Sequence, residues 1–310
     1  MLGNSKAKSV IYVMSTESTP PQDAEFKGDL SVTALYTAGV WSWAKFDGSE
    51  LIVNNDCNRV FKITNLALGV MRLFRWKLPK LAESLAQRHA LIDQLVKEYS
   101  PDSVIELASG LSARSYRICS PTGVPSLKRY IEIDLPHVIQ YKTMRLTMNQ
   151  AAPHQLVLRG QDLKTLNTQD LKQDLVDLHR PVITAEGLMM YLSAEEVIKL
   201  LEVITSQLQQ SGGRLVFDWV PTIEQLRPGI FGRCLSAIMR LFTGGDGFER
   251  DERTRHEMSA QLYNLGAQTV TLFDTMNVAE QRDLPFPSAH TQQLIFCADF
   301  ISMTELKLTD

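Results

Sequence analysis

Short apolar segments alternate with amphipathic helical segments between residues 81 and 219. The short segments are rich in β-branched and other large apolar residues and cover 104–107, 129–134, 156–158, 181–186 and 214–219. Runs of this length, bounded by turn residues, are typical of strands buried on both faces. Apolar residues at helical spacing fill 81–99, and Ser193 with Glu196 forms a capping box that begins another helix. The alternation predicts an α/β fold, with a mostly parallel sheet and helices on both of its faces.

The segments on either side of this region have different patterns. Residues 1–28 are polar and irregular, which predicts a frayed arm, and helical spacing covers 31–46. Two later runs, 269–273 and 293–298, are compatible with a terminal antiparallel pair of strands. We therefore divide the chain into an N-terminal arm and helical cap, 1–80, and a core, 81–310, with a helical insertion after the fifth strand at about 221–260.

Two stretches, 66–78 and 229–242, interleave large apolar residues with basic ones. For 66–78 the favoured interpretation is a helix packed on the core with its cationic groups in water. The alternative is a helix at a membrane surface or at the edge of an apolar substrate pocket. The two stretches are also candidates for a lid that closes over a site.

The composition restricts the expected compartment and the classes of partner more than it restricts the function. The 310 residues carry a net charge of −3, which gives no bulk attraction to nucleic acid. The cysteines are widely separated and form no paired motif: Cys57, Cys119, Cys234 and Cys297. With no secretory leader in the sequence, they predict reduced thiols in a cytoplasmic protein. No apolar run reaches the length of a membrane span, so no stable membrane insertion is expected.

Acidic and small residues follow the predicted strands at their carboxyl ends, where open parallel sheets bind ligands. Four of them stand at or just past successive strand ends: Gly110, Asp134, Asp162 and Glu186. Glu106 lies within the first of these strands, and we count it as a further cofactor-binding candidate. A single acid at a strand end is commonly a solvated or capping residue, so the prediction depends on the ordered set.

These residue types suit the parts of a nucleoside ligand. A carboxylate such as Asp134 accepts from two ribose hydroxyls, and Gly110 allows a close approach of the backbone. Asp162 and Leu163 offer an acceptor for an adenine amine and an apolar wall for its ring. Glu186 suits an ammonium group or a cationic sulfur. The set matches S-adenosylmethionine (SAM), whereas the pyrophosphate of a dinucleotide needs more glycines in the first turn.

Several segments of the chain match the motifs of one family. They are residues 87–93, 104–117, 130–139, Lys142, 162–163 and 184–192. The most specific are Glu-Ile-Asp-Leu-Pro at 132–136 and the segment 185–192, which begins Ala-Glu-Gly-Leu and ends Tyr-Leu. In these segments the chain resembles the leucine carboxyl methyltransferase family, which includes bacterial O-methyltransferases of polyketide biosynthesis. The resemblance implies a Rossmann-like class I SAM-dependent methyltransferase fold with a mostly parallel seven-stranded sheet.

The resemblance also implies roles for individual residues. Arg88 would hold the methionine carboxylate, for which a fixed and preferably bidentate cation is suited. The other positions carry over as follows: Gly110 beneath the methionine moiety, Asp134 at the ribose, Asp162 and Leu163 around adenine, and Glu186 and Tyr191 close to the donor and acceptor. Tyr191 is therefore the candidate catalytic residue.

The chain departs from the family pattern in three places. Ala108 stands where the family usually has glycine, and Ser112 and Ala113 stand where Asp-Thr usually precedes the arginine that is Arg114 here. The helix around Trp41 lacks an arginine often found there. These departures affect the geometry expected around the methionine moiety and on the acceptor side.

The predicted reaction is an in-line methyl transfer, with the nucleophile about 3 Å behind the methyl carbon. A carboxylate acceptor has a pKa near 4 and is already ionised at neutral pH, so it needs no general base. A hydroxyl acceptor does need one, and the scattered histidines have no motif that assigns a base. We therefore predict a SAM-dependent O-methyltransferase for a small molecule, with apolar molecules among the candidates, a carboxylate acceptor preferred and S-adenosylhomocysteine (SAH) as product.

Three alternatives stay open from the sequence. A methyltransferase-like domain could serve as a binding module without turnover, a hypothesis suggested by Ala108 and Ser112. The acceptor could instead be the carboxyl terminus of a protein. An NAD-dependent dehydrogenase is the third hypothesis.

Overall fold

The computed structural model describes residues 10–13, 30–73, 80–149, 153, 155–175, 179–219 and 251–302. Eight strands form a single sheet within these ranges. They are β1 (Val10–Val13), β2 (Ser103–Leu107), β3 (Arg129–Asp134), β4 (Leu156–Gly160), β5 (Pro181–Ala185), β6 (Gly213–Asp218), β7 (Thr269–Asp274) and β8 (Leu294–Phe300).

The order of the strands across the sheet is β1-β4-β3-β2-β5-β6-β8-β7. Strands β2 to β6 pair in parallel, and β8 runs antiparallel to both of its neighbours, β6 and β7. These seven strands confirm the predicted mostly parallel, Rossmann-like sheet and its terminal antiparallel pair. The eighth, β1, pairs antiparallel with β4. The prediction of an irregular arm was therefore wrong for Val10–Val13, and the remaining residues up to 29 lie outside the described ranges.

Ten α-helices connect and flank the strands in the described part of the chain. They are α1 (Val32–Trp43), α2 (Ser49–Ile52), α3 (Asn55–Leu73), α4 (Leu81–Tyr99), α5 (Arg114–Ile118), α6 (Pro136–Met148), α7 (Thr168–Asp174), α8 (Ala194–Ser211), α9 (Arg255–Asn264) and α10 (Thr275–Val278). The capping box predicted for α8 is present, because Ser193 Oγ accepts from the Glu196 N–H and the Glu196 carboxylate accepts from the Ser193 N–H. Pro136 occupies the first turn of α6, where its missing N–H costs nothing.

Core side chains cover both faces of the sheet. On one face Val104 of β2 packs in the same cluster as Leu91 and Leu95 of α4. On the other face Ile105 packs in a cluster with Leu201 and Ile204 of α8. Successive residues of a strand point to opposite faces, so a strand covered on both sides must be apolar throughout. This packing explains the short apolar runs in the sequence.

Helices α1 to α3 form a helical cap on α4. Tyr36, Val40 and Trp41 of α1 pack with Ala82, Leu85 and Ala86 of α4. The apolar-basic stretch 66–78 begins within α3, where Leu68 is buried but Leu66 is 70% exposed, and 74–79 lie outside the described residues. The stretch 229–242 also lies outside them, as does the predicted insertion up to residue 250. Among the described helices, none combines the length and the apolar character that crossing a membrane requires.

Candidate functional site

The parallel strands place their carboxyl ends at one edge of the sheet, and the polar residues predicted from the sequence lie along it. The turn after β2 begins there with Ala108 at φ 52° and contains Gly110 at φ 51°. Both residues are in the left-handed region that favours glycine. A Cβ added to Gly110 would meet no atom within 4 Å, so this face of the turn borders open space. A ligand could approach the backbone at this point.

Asp134, at the end of β3, is held against this turn. One of its oxygens accepts from the Gly110 N–H at 2.6 Å and the other from the Leu135 N–H at 2.7 Å. Burial raises the pKa of Asp134, and the two N–H groups partly oppose that effect. Each carboxylate oxygen has a second lone pair, so Asp134 keeps acceptor capacity for a ligand.

Asp162 and Leu163 follow β4 along the same edge. Asp162 Oδ1 accepts from the Lys164 N–H at 2.9 Å and caps a single 3-10 turn, Leu163–Thr165. Its Oδ2 accepts no hydrogen bond from the described residues. Leu163 is half-buried and packs against the core cluster that contains Ile105 of β2. The pair therefore offers an acceptor beside an apolar surface.

Arg88 of α4 reaches the ends of β5 and β6 and pairs with two carboxylates. Its Nε donates to Glu186 at 2.9 Å and its Nη1 to Asp218 at 2.8 Å, and the side chain is 6% exposed. Asp218 also accepts from the Gly187 N–H at 2.5 Å. Within the described residues, Nη2 of Arg88 makes no hydrogen bond. Gly187 has φ +68°, and a Cβ there would lie 3.3 Å from this Nη2, so glycine keeps the space beside the guanidinium open.

Arg114 of α5 lies at the centre of the buried charges behind Glu186. It donates to Asp93 at 2.6 Å, to Glu106 at 2.6 Å and to Glu186 at 2.5 Å, and its side chain is fully buried. The other oxygen of Glu106 accepts from the Tyr130 hydroxyl at 2.6 Å. Both oxygens of Glu106 therefore have protein partners, and its predicted contact with a cofactor stays a prediction. In the structure Glu106 supports Arg114.

His89 completes this group of buried side chains. Its Nδ1 lies 2.8 Å from Glu186 Oε2, and its Nε2 lies 2.5 Å from Nη2 of Arg117. Arg117 in turn donates to Asp93 at 2.8 Å. Burial, followed by the positive charge of Arg114, lowers the pKa of His89. The imidazole is therefore neutral at pH 7.

Glu186 is ionised despite its burial. Burial alone would raise its pKa, but His89, Arg88 and Arg114 together hold that pKa well below the usual range. Tyr191 lies in the 3-10 turn Met189–Tyr191 that follows. Burial raises the pKa of Tyr191, with the charge of Arg88 acting in the opposite direction. The phenol is therefore protonated at neutral pH.

The structure thus brings most of the predicted residues together. Arg88 contacts Glu186, Gly110 contacts Asp134, and Asp162 and Leu163 follow the neighbouring strand. The sequence-based prediction missed Asp218, although the same strand-end pattern in the predicted strand 214–219 could have found it. It also missed the roles of His89, Asp93, Arg114 and Arg117. Those side chains meet only through the packing of α4 against α5, for which no local pattern exists.

Comparisons with known proteins identify chains to which this one is similar. The model of the family described as leucine carboxyl methyltransferase matches residues 51–205. A protein of Mycobacterium ulcerans (strain Agy99), named as an S-adenosyl-L-methionine-dependent methyltransferase, is 31% identical over 247 residues, which are 73% of this chain and 74% of its own. A protein with the same name from Mycobacterium marinum is 30% identical over 247 residues, again 73% and 74% of the two chains.

A solved structure supports the fold independently. The crystal structure of a methyltransferase from Thermobifida fusca YX superposes with a TM-score of 0.57, covering 87% of this chain and 95% of the other. At 14% identity this likeness concerns the fold alone. The family match over half of the chain and the 31% identical relative together show more. The chain belongs to the leucine carboxyl methyltransferase family.

Proposed function

We propose that the protein is a SAM-dependent O-methyltransferase that methylates a small molecule, preferably at a carboxylate, and releases SAH. Methyl transfer from SAM follows from membership of the family and from the relatives that carry this name. The acceptor and the roles of individual residues are our proposal. The observation that carries it is the group of charges around Arg88 at the carboxyl edge of the sheet.

This group of charges is complementary to SAM. It contains three arginines and four carboxylates: Arg88, Arg114 and Arg117, with Asp93, Glu106, Glu186 and Asp218. The formal charges of the group sum to one negative charge. SAM carries a sulfonium, an ammonium and a carboxylate, and so has one net positive charge. Opposite charges at short range in a buried site attract more strongly than in water.

The methionine moiety has suitable partners at this edge. Nη2 of Arg88 is the donor we assign to the methionine carboxylate, because Nε and Nη1 are already engaged. Glu186 and Asp218 supply acceptors for the ammonium group. The left-handed turn at Gly110 leaves room for the chain of the methionine beside the backbone.

The nucleoside would lie toward β3 and β4. Asp134 is the acceptor we assign to the ribose hydroxyls, using the lone pairs that Gly110 and Leu135 leave free. Oδ2 of Asp162 and the side chain of Leu163 suit the adenine amine and ring. The same turn offers a pyrophosphate fewer glycines than a dinucleotide motif, which disfavours NAD.

The preference for a carboxylate acceptor rests on the groups around Glu186. Bound SAM supplies an electrophilic methyl group, and the protein must then align an acceptor and exclude water. His89 has partners on both ring nitrogens, and the raised pKa of Tyr191 makes its phenol a poor proton acceptor for a hydroxyl. A carboxylate acceptor needs neither His89 nor Tyr191 as a base, because it is already ionised at neutral pH. Tyr191 is then a residue that orients the acceptor, and the family's name, which refers to a carboxyl group, agrees with this choice.

The test is to identify the bond that forms. Purified protein is incubated with methyl-labelled SAM and a whole-cell extract, the mixture is separated into small-molecule and protein fractions, and each fraction is treated with mild alkali. A methyl ester releases labelled methanol, whereas a methyl ether keeps the label. We expect alkali-labile label in the small-molecule fraction. Alkali-stable label would show a hydroxyl acceptor, label in the protein fraction would show a protein terminus, and SAM binding without any transfer would show a binding module.

A further inference from the structure

His89 is a fully buried imidazole whose hydrogen bonds define its tautomer. An arginine can only donate, so Nε2, 2.5 Å from Nη2 of Arg117, must be the accepting nitrogen. In the neutral ring the proton is then on Nδ1, which lies 2.8 Å from Glu186 Oε2. Nη2 of Arg114 is also 2.8 Å from Nδ1 and donates to Glu186 at 2.5 Å. The Nδ1–H tautomer satisfies both Glu186 and Arg117, whereas the Nε2–H tautomer would point its hydrogen at Arg117 and leave Glu186 without this donor. The Nδ1–H of His89 therefore donates to Glu186.

Two aromatic rings, one in the helical cap and one in the turn after α1, contact the same imidazole. The indole of Trp41 stacks on the imidazole with ring centroids 4.0 Å apart and an angle of 18° between the planes. Phe46, in the turn after α1, meets the ring edge-on with centroids 5.0 Å apart. The guanidinium of Arg117 lies 5.1 Å from the centroid of Phe46. His89 thus touches the cap on one side and the acid at the end of β5 on the other.

This position distinguishes His89 from the charged partners of Glu186. Arg88 and Arg114 pair with Glu186 through guanidinium groups that also bind other carboxylates. His89 gives Glu186 a neutral donor from a ring whose rotation the cap prevents. Residues that support a site in this way hold it to within fractions of an ångström of its working geometry.

We propose that His89 is a positioning residue, which uses its Nδ1–H to fix Glu186 for SAM and its ring to seat the helical cap over the site. The inference rests on the proposed function, because it assumes that Glu186 faces the methionine moiety of SAM. The inference also gives the helical cap a role, because displacement of Trp41 would free the imidazole to turn away from Glu186.

Two substitutions separate the hydrogen bond to Glu186 from the rest of the ring. In His89→Asn the side-chain amide nitrogen can take the place of Nδ1 and donate to Glu186. In His89→Gln the amide reaches the place of Nε2, near Arg117, and the donor to Glu186 is lost. We expect His89→Gln to raise the Kd of SAM by about tenfold or more, the effect of one hydrogen bond to a charged group. His89→Asn should raise it by clearly less.

Calorimetry with SAM on the full chain and both variants provides the measurement, with thermal unfolding as the control for folding. Equal losses in the two variants, or a larger loss in the Asn variant, would overturn the role of His89 while leaving the proposed function intact. A wild-type chain that does not bind SAM would defeat the proposed function itself.

A measurement on the unaltered chain covers the case in which a variant does not fold. Nitrogen-15 chemical shifts of the imidazole distinguish its two neutral tautomers and its cation. We expect the Nδ1–H tautomer at pH 7. The Nε2–H tautomer or the imidazolium would contradict the assigned hydrogen bond to Glu186.

Discussion

At the scale of single residues, the turn after β2 shows a departure from the family pattern that carries a conformational free-energy penalty. Ala108 has φ 52°, a left-handed conformation that costs an L-residue with a Cβ about 1–2 kcal/mol. Glycine, which the family pattern favours at this position, would not bear that cost. The turn therefore has its left-handed conformation with alanine at this position, and the backbone is strained there.

Replacing Ala108 by glycine should stabilise the protein. Relief of the left-handed strain exceeds the extra entropy of glycine in the unfolded chain, so we expect the free energy of unfolding to rise by about 0.5–1 kcal/mol. Urea denaturation measures it. Gly110→Ala is the matched control, because at φ 51° with open space around the Cβ it should lose about 1 kcal/mol through strain alone. An Ala108→Gly variant less stable than the wild type would refute this explanation.

The site residues at strand ends could be predicted from the sequence, but the buried ion pairs that support them could not. Asp134 ends one strand and Glu186 follows another, both recognisable from their apolar runs, and the two residues lie at one edge of the sheet. The same rule applied to 214–219 would have included Asp218. The partners of Arg114 could not be predicted, because ion pairs between residues 8 to 72 positions apart depend on tertiary packing.

At the scale of elements, Asp93 joins two helices near the site. This carboxylate of α4 accepts from Arg114 at 2.6 Å and from Arg117 at 2.8 Å, both on α5. Burial would raise its pKa, but Arg117 and Arg114 hold that pKa well below the usual range. The short helix α5 has five residues, too few to be stable alone. Its position therefore depends on this carboxylate.

Removing the charge of Asp93 should destabilise the fold in a way that depends on pH. Asp93→Asn leaves two buried guanidinium groups less compensated, and we expect a loss of about 3–5 kcal/mol at pH 7. A carboxylate with a lowered pKa stabilises the folded state above its unfolded pKa, so the difference from wild type should shrink as pH falls below about 4. Denaturant unfolding at several pH values measures this difference.

The control for Asp93 lies on the same helix. Glu98 pairs with Arg282 at 2.6 Å, but its side chain is 50% exposed. Glu98→Gln should therefore change stability by less than about 1 kcal/mol. Equal effects of the two substitutions, or a loss for Asp93→Asn that does not vary with pH, would contradict the structural role of Asp93.

Elements that depend on an edge of the sheet were harder to predict than those in its centre. The central strands could be predicted because each is covered on both faces and is apolar throughout. Strand β1 has four residues within a polar segment and is defined by its pairing with β4. Its sequence alone contains no signal for that partner.

At the scale of the whole molecule, strand order explains where the site lies. β2 pairs with β3 on one side and with β5 on the other, and the chain runs from β2 to β3 and β4 in one direction across the sheet and from β5 to β6 in the other. Such a switch point opens a crevice at the carboxyl ends of the strands, where α/β sheets bind ligands. The turn at Gly110 lies on one side of this point and Glu186 on the other.

Burial should also slow the reaction of two described cysteines with alkylating reagents, Cys297, which is buried, and Cys119, which is half-buried. Burial raises the pKa of Cys119 and of Cys297 to about 12, so their thiolate fraction at pH 8 is very small. We expect iodoacetamide at pH 8 to alkylate both only slowly in the folded protein and readily after unfolding in urea. Mass spectrometry of the peptides reports each site separately. Alkylation of the folded chain at the rate of an exposed thiol would contradict the burial.

The central claim is that SAM binds at this edge of the sheet, and calorimetric titration with SAH tests it most directly. We expect one site per chain in the wild type, with affinity reduced about tenfold or more in Asp134→Ala, which removes the acceptor assigned to the ribose. Glu98→Gln, far from the strand ends, should bind as the wild type does. Absence of binding at about 1 mM SAH, or an Asp134→Ala variant that binds as tightly as the wild type, would contradict the account.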